Sequence, residues 1–199
     1  MSLDVHALRG SLAGPFDFHV PSGRCLAITG PSGSGKSLLL RMLADLDPCE
    51  GQVSLDAEHR ATMSPTTWRR RVALLPARSG WWADSVDEHF VAGQSDERGA
   101  LACDLLLADR LFGQPVDETS TGERQRLALI RALLTGPRVV LLDEPTASLD
   151  ATATFAVEAV LRRRMQEGLI VVIVTHDVAQ ADRLGDEALV MCDGTLVRP

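Results

Sequence analysis

Short apolar runs alternate with longer amphipathic stretches along this chain. "RCLAIT", "QVSLD" and "RVALLP" predict strands, and "SLLLRMLADL" predicts a helix that follows the first of them after a glycine-rich loop. Two further runs, "RVVLLD" and "LIVVIVT", are continuously apolar, which is typical of strands buried on both faces of a parallel sheet. We therefore expect an α/β fold in which helices cover a mainly parallel sheet.

The stretch "TATFAVEAVLRRRMQEG" has the period of an amphipathic helix, with arginines on one side and Gly168 at its end. The apolar side that we expect to face the core consists of Phe155, Val157, Val160, Leu161 and Met165. A second helical pattern runs from about Ser85 to Leu111 without a strong strand. This stretch predicts a small helical lobe inserted into the α/β core.

Length and composition limit the class of protein. With 199 residues, 45% of them hydrophobic, the chain can bury one good core but hardly two independent domains. The formal net charge of −7 argues against a protein that binds nucleic acid through a broad basic face. The two "RRR" runs, at 69–71 and 162–164, are expected at solvated edges of helices or strands.

Neither the cysteines nor the apolar segments indicate a secreted or membrane-spanning chain. The four cysteines are scattered, with no C-x-x-C pair, which argues against structural zinc and fits a reducing cytoplasm. No segment reaches about 18 uninterrupted apolar residues, and no basic-then-apolar leader opens the sequence. We expect a soluble chain.

The sequence "GPSGSGKS" indicates the most specific chemistry. It matches the phosphate-binding pattern G-x-x-x-x-G-K followed by Ser or Thr, and consists of Gly30, Pro31, Ser32, Gly33, Ser34, Gly35, Lys36 and Ser37. Because it lies between a strand and a helix, its backbone N–H groups and the helix N-terminus can point at a polyphosphate. Lys36 should reach the β- and γ-phosphates, and the Ser37 hydroxyl should bind Mg²⁺. A purely structural glycine-rich turn is the alternative, which the Lys-Ser pair disfavours.

A second motif, "VVLLDEPT", ends a buried strand in two carboxylates. We expect Asp143 to hold Mg²⁺ through water at the carboxyl edge of the sheet. The adjacent Glu144 gains no stability from a neighbouring carboxylate, and it is well placed to orient or deprotonate an attacking water. The alternative is a strand end capped by acids that face solvent.

The run "LIVVIVTHD" ends at the same edge of the sheet with His176. A histidine there can hydrogen-bond a γ-phosphate and respond to its presence, although a lone histidine at a strand end is more often structural. The segment "TSTGERQR" raises a separate question, because it begins with helix-capping residues and leads into the apolar "LALIRALL". It predicts a second helix N-terminus able to bind an anion.

Taken together, these motifs resemble those of the ATP-binding cassette (ABC) ATPases, over essentially the whole chain. "GPSGSGKS" resembles Walker A, and "TSTGERQRLALIRALL" resembles the signature segment. "VVLLDEPT" resembles Walker B with its catalytic glutamate. "ASLD", which ends at Asp150, resembles the D-loop, and "VTHD" resembles the switch-histidine loop. The resemblance implies one ABC ATPase domain over 1–199. It further implies a RecA-like P-loop NTPase core at about 1–76 and 125–199, a small N-terminal antiparallel β part, and a helical lobe with the signature segment at about 77–124.

The resemblance also implies cofactors and partners. In this family two subunits pair head to tail, so that the signature helix of one covers the ATP bound by the P-loop of the other. Ser120 and Gly122 would then supply a hydroxyl and an amide to the γ-phosphate, and Asp150 would lie beside the nucleotide. We expect a homodimer that hydrolyses ATP with Mg²⁺ through Glu144, His176 and Lys36. It would be cytoplasmic and held at the inner face of the cell membrane by an integral membrane permease, and would bind no nucleic acid.

Some residues of the two phosphate-binding segments depart from the family pattern. Thr119 and Thr121 replace the Leu and the first Gly of the usual Leu-Ser-Gly-Gly. The two residues expected to touch phosphate are retained, so we predict a modest loss at most. Leu38 follows Ser37 where a second hydroxyl is usual, so we expect only its backbone to bind phosphate.

Two further departures from the family pattern concern the binding of the metal ion and of the adenine ring. Ala77 occupies the position of a glutamine that contacts the metal and its water, which predicts weaker metal coordination and coupling through another group such as Arg78. Ser11 stands where the family stacks adenine on an aromatic residue. Loss of one stacking platform costs about 1–3 kcal/mol. We therefore predict weak ATP affinity and poor discrimination among nucleoside triphosphates.

The sequence leaves the partner and the class of function open. Trp81 and Trp82 lie where a membrane subunit would dock, and either one of them is an exposed anchor or both pack locally. The compact layout resembles stand-alone subunits that pair with a separate permease, including those of metal export. A soluble ABC-type ATPase not coupled to transport would carry the same motifs, whereas a P-loop small-molecule kinase would lack the signature segment.

Overall fold

The computed structural model describes residues 1–198, which form a mixed α/β fold with two sheets. The antiparallel sheet has the spatial order β2-β1-β4-β5, with β1 at Ser2–Arg9, β2 at Phe16–Pro21, β4 at Glu50–Leu55 and β5 at Glu58–His59. The larger sheet has the order β10-β9-β3-β8-β7-β6, with β3 at Cys25–Thr29, β6 at Val72–Leu75, β7 at Val139–Asp143, β8 at Ile170–Val174, β9 at Glu187–Cys192 and β10 at Thr195–Val197.

Six α-helices connect the strands. They are α1 (Lys36–Leu43), α2 (Pro65–Arg71), α3 (Ser95–Asp104), α4 (Thr121–Leu133), α5 (Ala151–Gln166) and α6 (Val178–Leu184). Four of them begin at a capping side chain that accepts a hydrogen bond from a backbone N–H of the first turn, namely Ser64, Ser120, Asp150 and Asp177. Among residues 1–198, no helix is both long enough and apolar enough to cross a bilayer.

The larger sheet is parallel except at β10, as the continuous apolar runs predict. Strand β8 pairs with β3 on one side and with β7 on the other. The carboxyl ends of these three strands therefore lie side by side. The loops that leave them carry the glycine-rich motif, the paired carboxylates and His176, so the topology alone brings the three motifs to one edge of the sheet.

The core lies on both faces of the larger sheet. Side chains such as Leu142 and Ile173 pack with α4, α5 and the segment around α3, whereas Leu141 and Val172 face α1 and the antiparallel sheet. Every residue of β7 and β8 is buried, which confirms the prediction that these strands are covered on both faces.

The prediction that Phe155 belongs to the apolar side of α5 is wrong. Phe155 is 53% exposed, whereas Val157, Val160 and Leu161 are buried. Phe155 precedes Val157 by two residues, which places it roughly 200° around the helix from it. Its ring packs instead against the guanidinium of Arg183, 5.1 Å from the ring centroid.

The stretch expected to form a helical lobe contains α3 and three short 3₁₀ segments rather than one long helix. The segments are Asp87–His89, Asp109–Gly113 and Val116–Glu118. Leu101, Leu105 and Phe112 belong to the same apolar cluster as α4 and α5. This region is therefore packed directly on the core, and its division from the core at about 77 and 124 stays a prediction.

Candidate nucleotide-binding site

A cavity of about 410 Å³ opens where the carboxyl ends of β3, β7 and β8 meet. Seven of the nine loop residues singled out from the sequence line it: Gly30, Ser32, Gly33, Gly35, Lys36, Ser37 and Leu38. Ala77, Asp143, Glu144 and His176 complete the lining. Pro31 and Ser34 do not line it. The fold thus gathers the phosphate loop, both carboxylates and the histidine around one cavity.

The loop adopts a backbone that requires glycine. Gly30 and Gly35 have φ angles of 136° and 107°, and a Cβ at Gly30 would come within 2.3 Å of the Met191 carbonyl oxygen. Gly35 is the N-cap of α1, and no side chain caps the first turn of that helix. Its N–H groups are therefore directed into the loop, where an anion can accept from them.

Lys36 lies inside the curve of the loop. Its side chain is 8% exposed, and its ammonium donates hydrogen bonds of 2.7 Å to the carbonyl oxygens of Gly30 and Pro31. The Ser34 hydroxyl is buried without a hydrogen-bond partner among the described residues. The loop is thus closed around a single cation that faces the cavity.

Glu144 is held at three points. Its N–H donates to the Val174 carbonyl oxygen at 2.9 Å, its own carbonyl oxygen accepts from the Gln125 side-chain amide at 2.7 Å, and its carboxylate lies 2.8 Å from Nδ1 of His176. Its φ of 50° falls in the left-handed region, which is uncommon for a residue with a Cβ. The His176 side chain is 70% exposed. The general base and the histidine expected from the sequence are therefore a hydrogen-bonded pair.

The donor set fits magnesium. Ser37 and Asp143 supply oxygen atoms at the cavity wall, and Asp143 is 9% exposed. Within residues 1–198 there is no group of three or more His, Cys, Asp or Glu side chains that could hold a metal alone. Mg²⁺ commonly binds through one or two protein oxygens together with substrate phosphates and water, which matches this arrangement.

The start of α4 is a second helix N-terminus, separate from the phosphate loop. Ser120 and Glu123 make a capping box, with a bond of 2.8 Å from the Ser120 N–H to the Glu123 carboxylate. Hydrogen bonds with Ser120 lower the pKa of Glu123. A Cβ at Gly122 would come within 3.0 Å of the Leu149 side chain, so this helix start packs against the loop that follows Glu144. Ser120, Gly122 and Asp150 do not line the phosphate-loop cavity.

The segment around Ser11 borders the phosphate loop. Ser11 and Leu12 line a cavity of about 600 Å³ together with Leu38, which also lines the phosphate-loop cavity. A Cβ at Gly35 would lie 3.3 Å from the Ala13 Cβ. This is the position expected for the wall of a base-binding pocket, and no aromatic side chain lines it.

The tryptophan pair combines both alternatives left open by the sequence. Trp82 is 71% exposed, whereas Trp81 is half-buried against the core. Both rings pack on His89 and lie under the Arg131 guanidinium, at 4.9 and 4.7 Å from the ring centroids. Trp82 and Arg131 line a groove of about 500 Å³ between β6 and α4.

Comparison with known proteins agrees with this geometry. The family model described as ABC transporter matches residues 14–147. The chain belongs to the ABC transporter family. It is an ATP-binding subunit of the ABC type, from a family that hydrolyses ATP, and its fold is that of a P-loop NTPase.

Two similar relatives of this ABC protein are sulfonate importer subunits. It is 36% identical over 190 residues to the aliphatic sulfonates import ATP-binding protein SsuB 1 of Rhizobium johnstonii, covering 90% of this chain and 68% of that protein. It is 38% identical over 183 residues to SsuB of Pseudomonas putida, covering 89% and 66%. The chain thus spans about two thirds of the length of these relatives.

A solved structure shares the fold over nearly the whole chain. It is a dimeric structure of a post-hydrolysis state of the ATP-binding cassette MJ0796 bound to ADP and Pi, with a TM-score of 0.87 and 24% identity. The match covers 98% of this chain and 97% of that chain. The likeness at this identity shows the fold.

Sequence reasoning missed Gln125. This residue is 9% exposed and contacts the backbone of Glu144. A signal was present, since Gln125 lies three and four residues before the buried Ala128 and Leu129, on the apolar side of α4. A polar residue on a buried side requires a hydrogen-bond partner.

Proposed function

We propose that this chain is the ATP-hydrolysing subunit of an ABC transporter, which forms a homodimer around MgATP and drives an integral membrane permease. The observation that supports the proposal is that the two segments suited to bind phosphate lie apart in one chain. The phosphate-loop cavity holds the residues for binding and hydrolysis, whereas Ser120 and Gly122 lie outside its lining. Each half-site is complete only if a second copy supplies the other half.

Within one subunit, different residues bind the polyphosphate, hold the metal ion and activate the attacking water. Backbone N–H groups of the loop and the start of α1 bind the polyphosphate, and Lys36 neutralises its charge. Ser37 and Asp143 hold Mg²⁺, which neutralises charge on the phosphates when bound. Glu144 orients or deprotonates the attacking water, and the bond to His176 fixes its carboxylate.

Across the dimer, the partner completes the site. The Ser120 hydroxyl and the Gly122 N–H, at a helix N-terminus, are suited to the γ-phosphate bound by the other copy. Asp150, which caps α5 beside the start of α4, would lie at the same interface. Hydrolysis then depends on closure of the dimer, and this closure is the motion that can drive transport.

The groove between β6 and α4 is the proposed contact with the permease. Its charged lining consists of Arg69, Arg70 and Arg131, although the chain as a whole has a net charge of −7. The exposed Trp82 offers an aromatic anchor at its rim. Docking there would hold the subunit at the inner face of the cell membrane, and we propose no interaction with nucleic acid.

Mixing two inactive variants tests the shared site. Lys36→Ala removes the phosphate-loop cation, and Ser120→Asp keeps a helix cap while it places a negative charge against the γ-phosphate. Neither variant alone should hydrolyse ATP. Their mixture should recover about a quarter of the wild-type rate, because half of the dimers are mixed and one of their two sites is intact. No recovery, with mixed dimers demonstrated by differential tags, would refute the shared site.

Phosphate release, co-purification and transport assays distinguish this proposal from two other functions and identify the cargo. A small-molecule kinase would release no phosphate from ATP without an acceptor, whereas this proposal expects such release. A soluble ABC-type ATPase would not co-purify with a membrane protein from solubilised membranes. The two relatives are named for sulfonate import, whereas the compact layout suggests metal export. Uptake and efflux assays with sulfonates and with divalent metals, on the reconstituted permease, would decide between them.

A further inference from the structure

Gln125 connects the signature helix to the backbone of the proposed catalytic base. Its side chain is 9% exposed and lies on the apolar side of α4. Its amide Nε2 donates a hydrogen bond of 2.7 Å to the carbonyl oxygen of Glu144. This bond joins two elements that the two phosphate half-sites use, the start of α4 and the end of β7.

The Glu144 backbone depends on such support. Its φ of 50° is held by hydrogen bonds on both sides of the Cα, one from its N–H to Val174 and one from Gln125 to its carbonyl oxygen. A non-glycine residue in this region persists only where its surroundings hold it there. Since the φ angle sets the direction in which the carboxylate leaves the chain, the bond to Gln125 aims the side chain toward His176 and the cavity.

The same part of α4 is also fastened to the segment around α3. The Arg126 guanidinium donates to the Leu105 carbonyl oxygen at 2.8 Å, and that of Arg124 donates to the Val116 carbonyl oxygen at 3.2 Å. Gln125, which lies between these two arginines in the sequence, bonds instead to the backbone of Glu144. The hydrogen bond from Gln125 thus links this part of α4 directly to the backbone of Glu144.

We infer that Gln125 is a positioning residue, which couples the contact of α4 with the partner's nucleotide to the orientation of Glu144 in its own subunit. The role given to Glu144 rests on the proposed function. The inference predicts that loss of the amide donor slows the chemical step and leaves nucleotide binding intact, because Gln125 contacts neither the loop nor the cavity.

The chain offers a matched control for this test. Gln94 also donates through Nε2 to a backbone carbonyl oxygen, that of Leu134 just beyond the other end of α4, at 2.8 Å. Gln125→Met and Gln94→Met each remove one amide donor while they keep the length of the side chain. We expect similar decreases in Tm for the two variants. The kcat for ATP should fall about tenfold or more in Gln125→Met only, with the Kd for MgATP changed by less than about twofold.

A second variant gives a readout that a structural role would not move. In Gln125→Glu, an ionised carboxylate faces the Glu144 carbonyl oxygen and cannot donate, whereas the protonated form can. The kcat of this variant relative to the wild type should therefore rise as the pH is lowered. In a Glu144→Gln background, Gln125→Met should cause no further loss, since it acts through the side chain already removed.

Three results would overturn the inference. They are an unchanged kcat in Gln125→Met, an equal loss of kcat in Gln94→Met, and a Kd that rises as much as kcat falls. A flat pH dependence of the Gln125→Glu ratio would contradict it independently, even if Gln125→Met failed to fold. The proposed function itself would fail in a different way, because the wild-type protein would then release no phosphate from ATP.

Discussion

Replacing Ser11 by tyrosine should strengthen nucleotide binding. Ser11 is exposed at the wall of the cavity of about 600 Å³ that shares Leu38 with the phosphate loop. A base attached to a triphosphate in that loop would extend into this cavity, whose lining contains no aromatic side chain. Ser11→Tyr adds a flat ring to the wall without changing any residue that contacts phosphate.

The size of the effect follows from one stacking contact. A single ring covers one face of the base, which is worth about 1–3 kcal/mol, or about 5- to 150-fold in Kd. Leu12, which is 80% exposed beside it, does not hinder the added ring. Because every base has a π-face, we expect the gain for both ATP and GTP, and the weak discrimination between them should persist.

Calorimetric titration of ATP, GTP and inorganic tripolyphosphate would measure this gain. Tripolyphosphate has no base, so its affinity should not change in Ser11→Tyr. Ser11→Leu is the control for added apolar surface without a ring, and it should gain less than the tyrosine variant. An equal gain for tripolyphosphate, or no gain for ATP, would refute the location of the base. A large difference between ATP and GTP in the wild type would contradict the predicted lack of discrimination.

Three further predictions concern stability and reactivity. Trp68 is fully buried and donates through Nε1 to the Leu43 carbonyl oxygen at 2.8 Å. Trp68→Ala should therefore lower the free energy of unfolding in urea by about 3–5 kcal/mol, whereas Trp82→Ala should change it by less than about 0.5 kcal/mol. Equal effects of the two substitutions would contradict the burial of Trp68 in the core. Burial raises the pKa of the Cys25 thiol, whereas Cys103 and Cys192 are exposed. Mass spectrometry should therefore show that iodoacetamide modifies Cys103 and Cys192 in the native protein and Cys25 only after unfolding. Rapid modification of Cys25 in the native protein would contradict its burial. The pKa of Glu123 is lowered from about 4.5, so its stabilisation is present above that value and is lost as the pH falls through the lower folded-state pKa. The difference in unfolding free energy between wild type and Glu123→Gln should accordingly narrow as the pH falls below about 4.5, and a constant difference would refute the contribution of the ionised carboxylate.

Most of the parallel core could be predicted from the sequence, because burial on both faces leaves a continuous apolar run that few other structures produce. The runs at β7 and β8 are of this kind, and both strands are fully buried. Phe155 misled the prediction because its apolar character suggested the core, whereas its position around α5 gives exposure and a contact with Arg183. The secondary structure of the region around α3 was harder to predict from the sequence, because short 3₁₀ segments have no distinct hydrophobic period.

Some residues of the candidate site could also be predicted from the sequence, whereas others could not. Residues within contiguous motifs, such as Lys36, Asp143 and His176, could be placed together because parallel strands end at one edge of the sheet. Gln125 could not be assigned a role, because its partner is a backbone carbonyl 19 residues away, which no pattern of residue types marks. The resemblance already implied that Ser120 and Gly122 serve the nucleotide of the other subunit, and neither residue lines the phosphate-loop cavity of its own chain.

The mass of the Glu144→Gln variant in solution, with and without MgATP, tests the central claim most directly. Without hydrolysis the shared site should stay closed, so light scattering should show the 21.5 kDa monomer converting to a species of twice that mass when MgATP is added. Adding Ser120→Asp to the same variant should restore the monomer. A variant that binds MgATP yet remains strictly monomeric, both alone and with its membrane partner, would contradict the account.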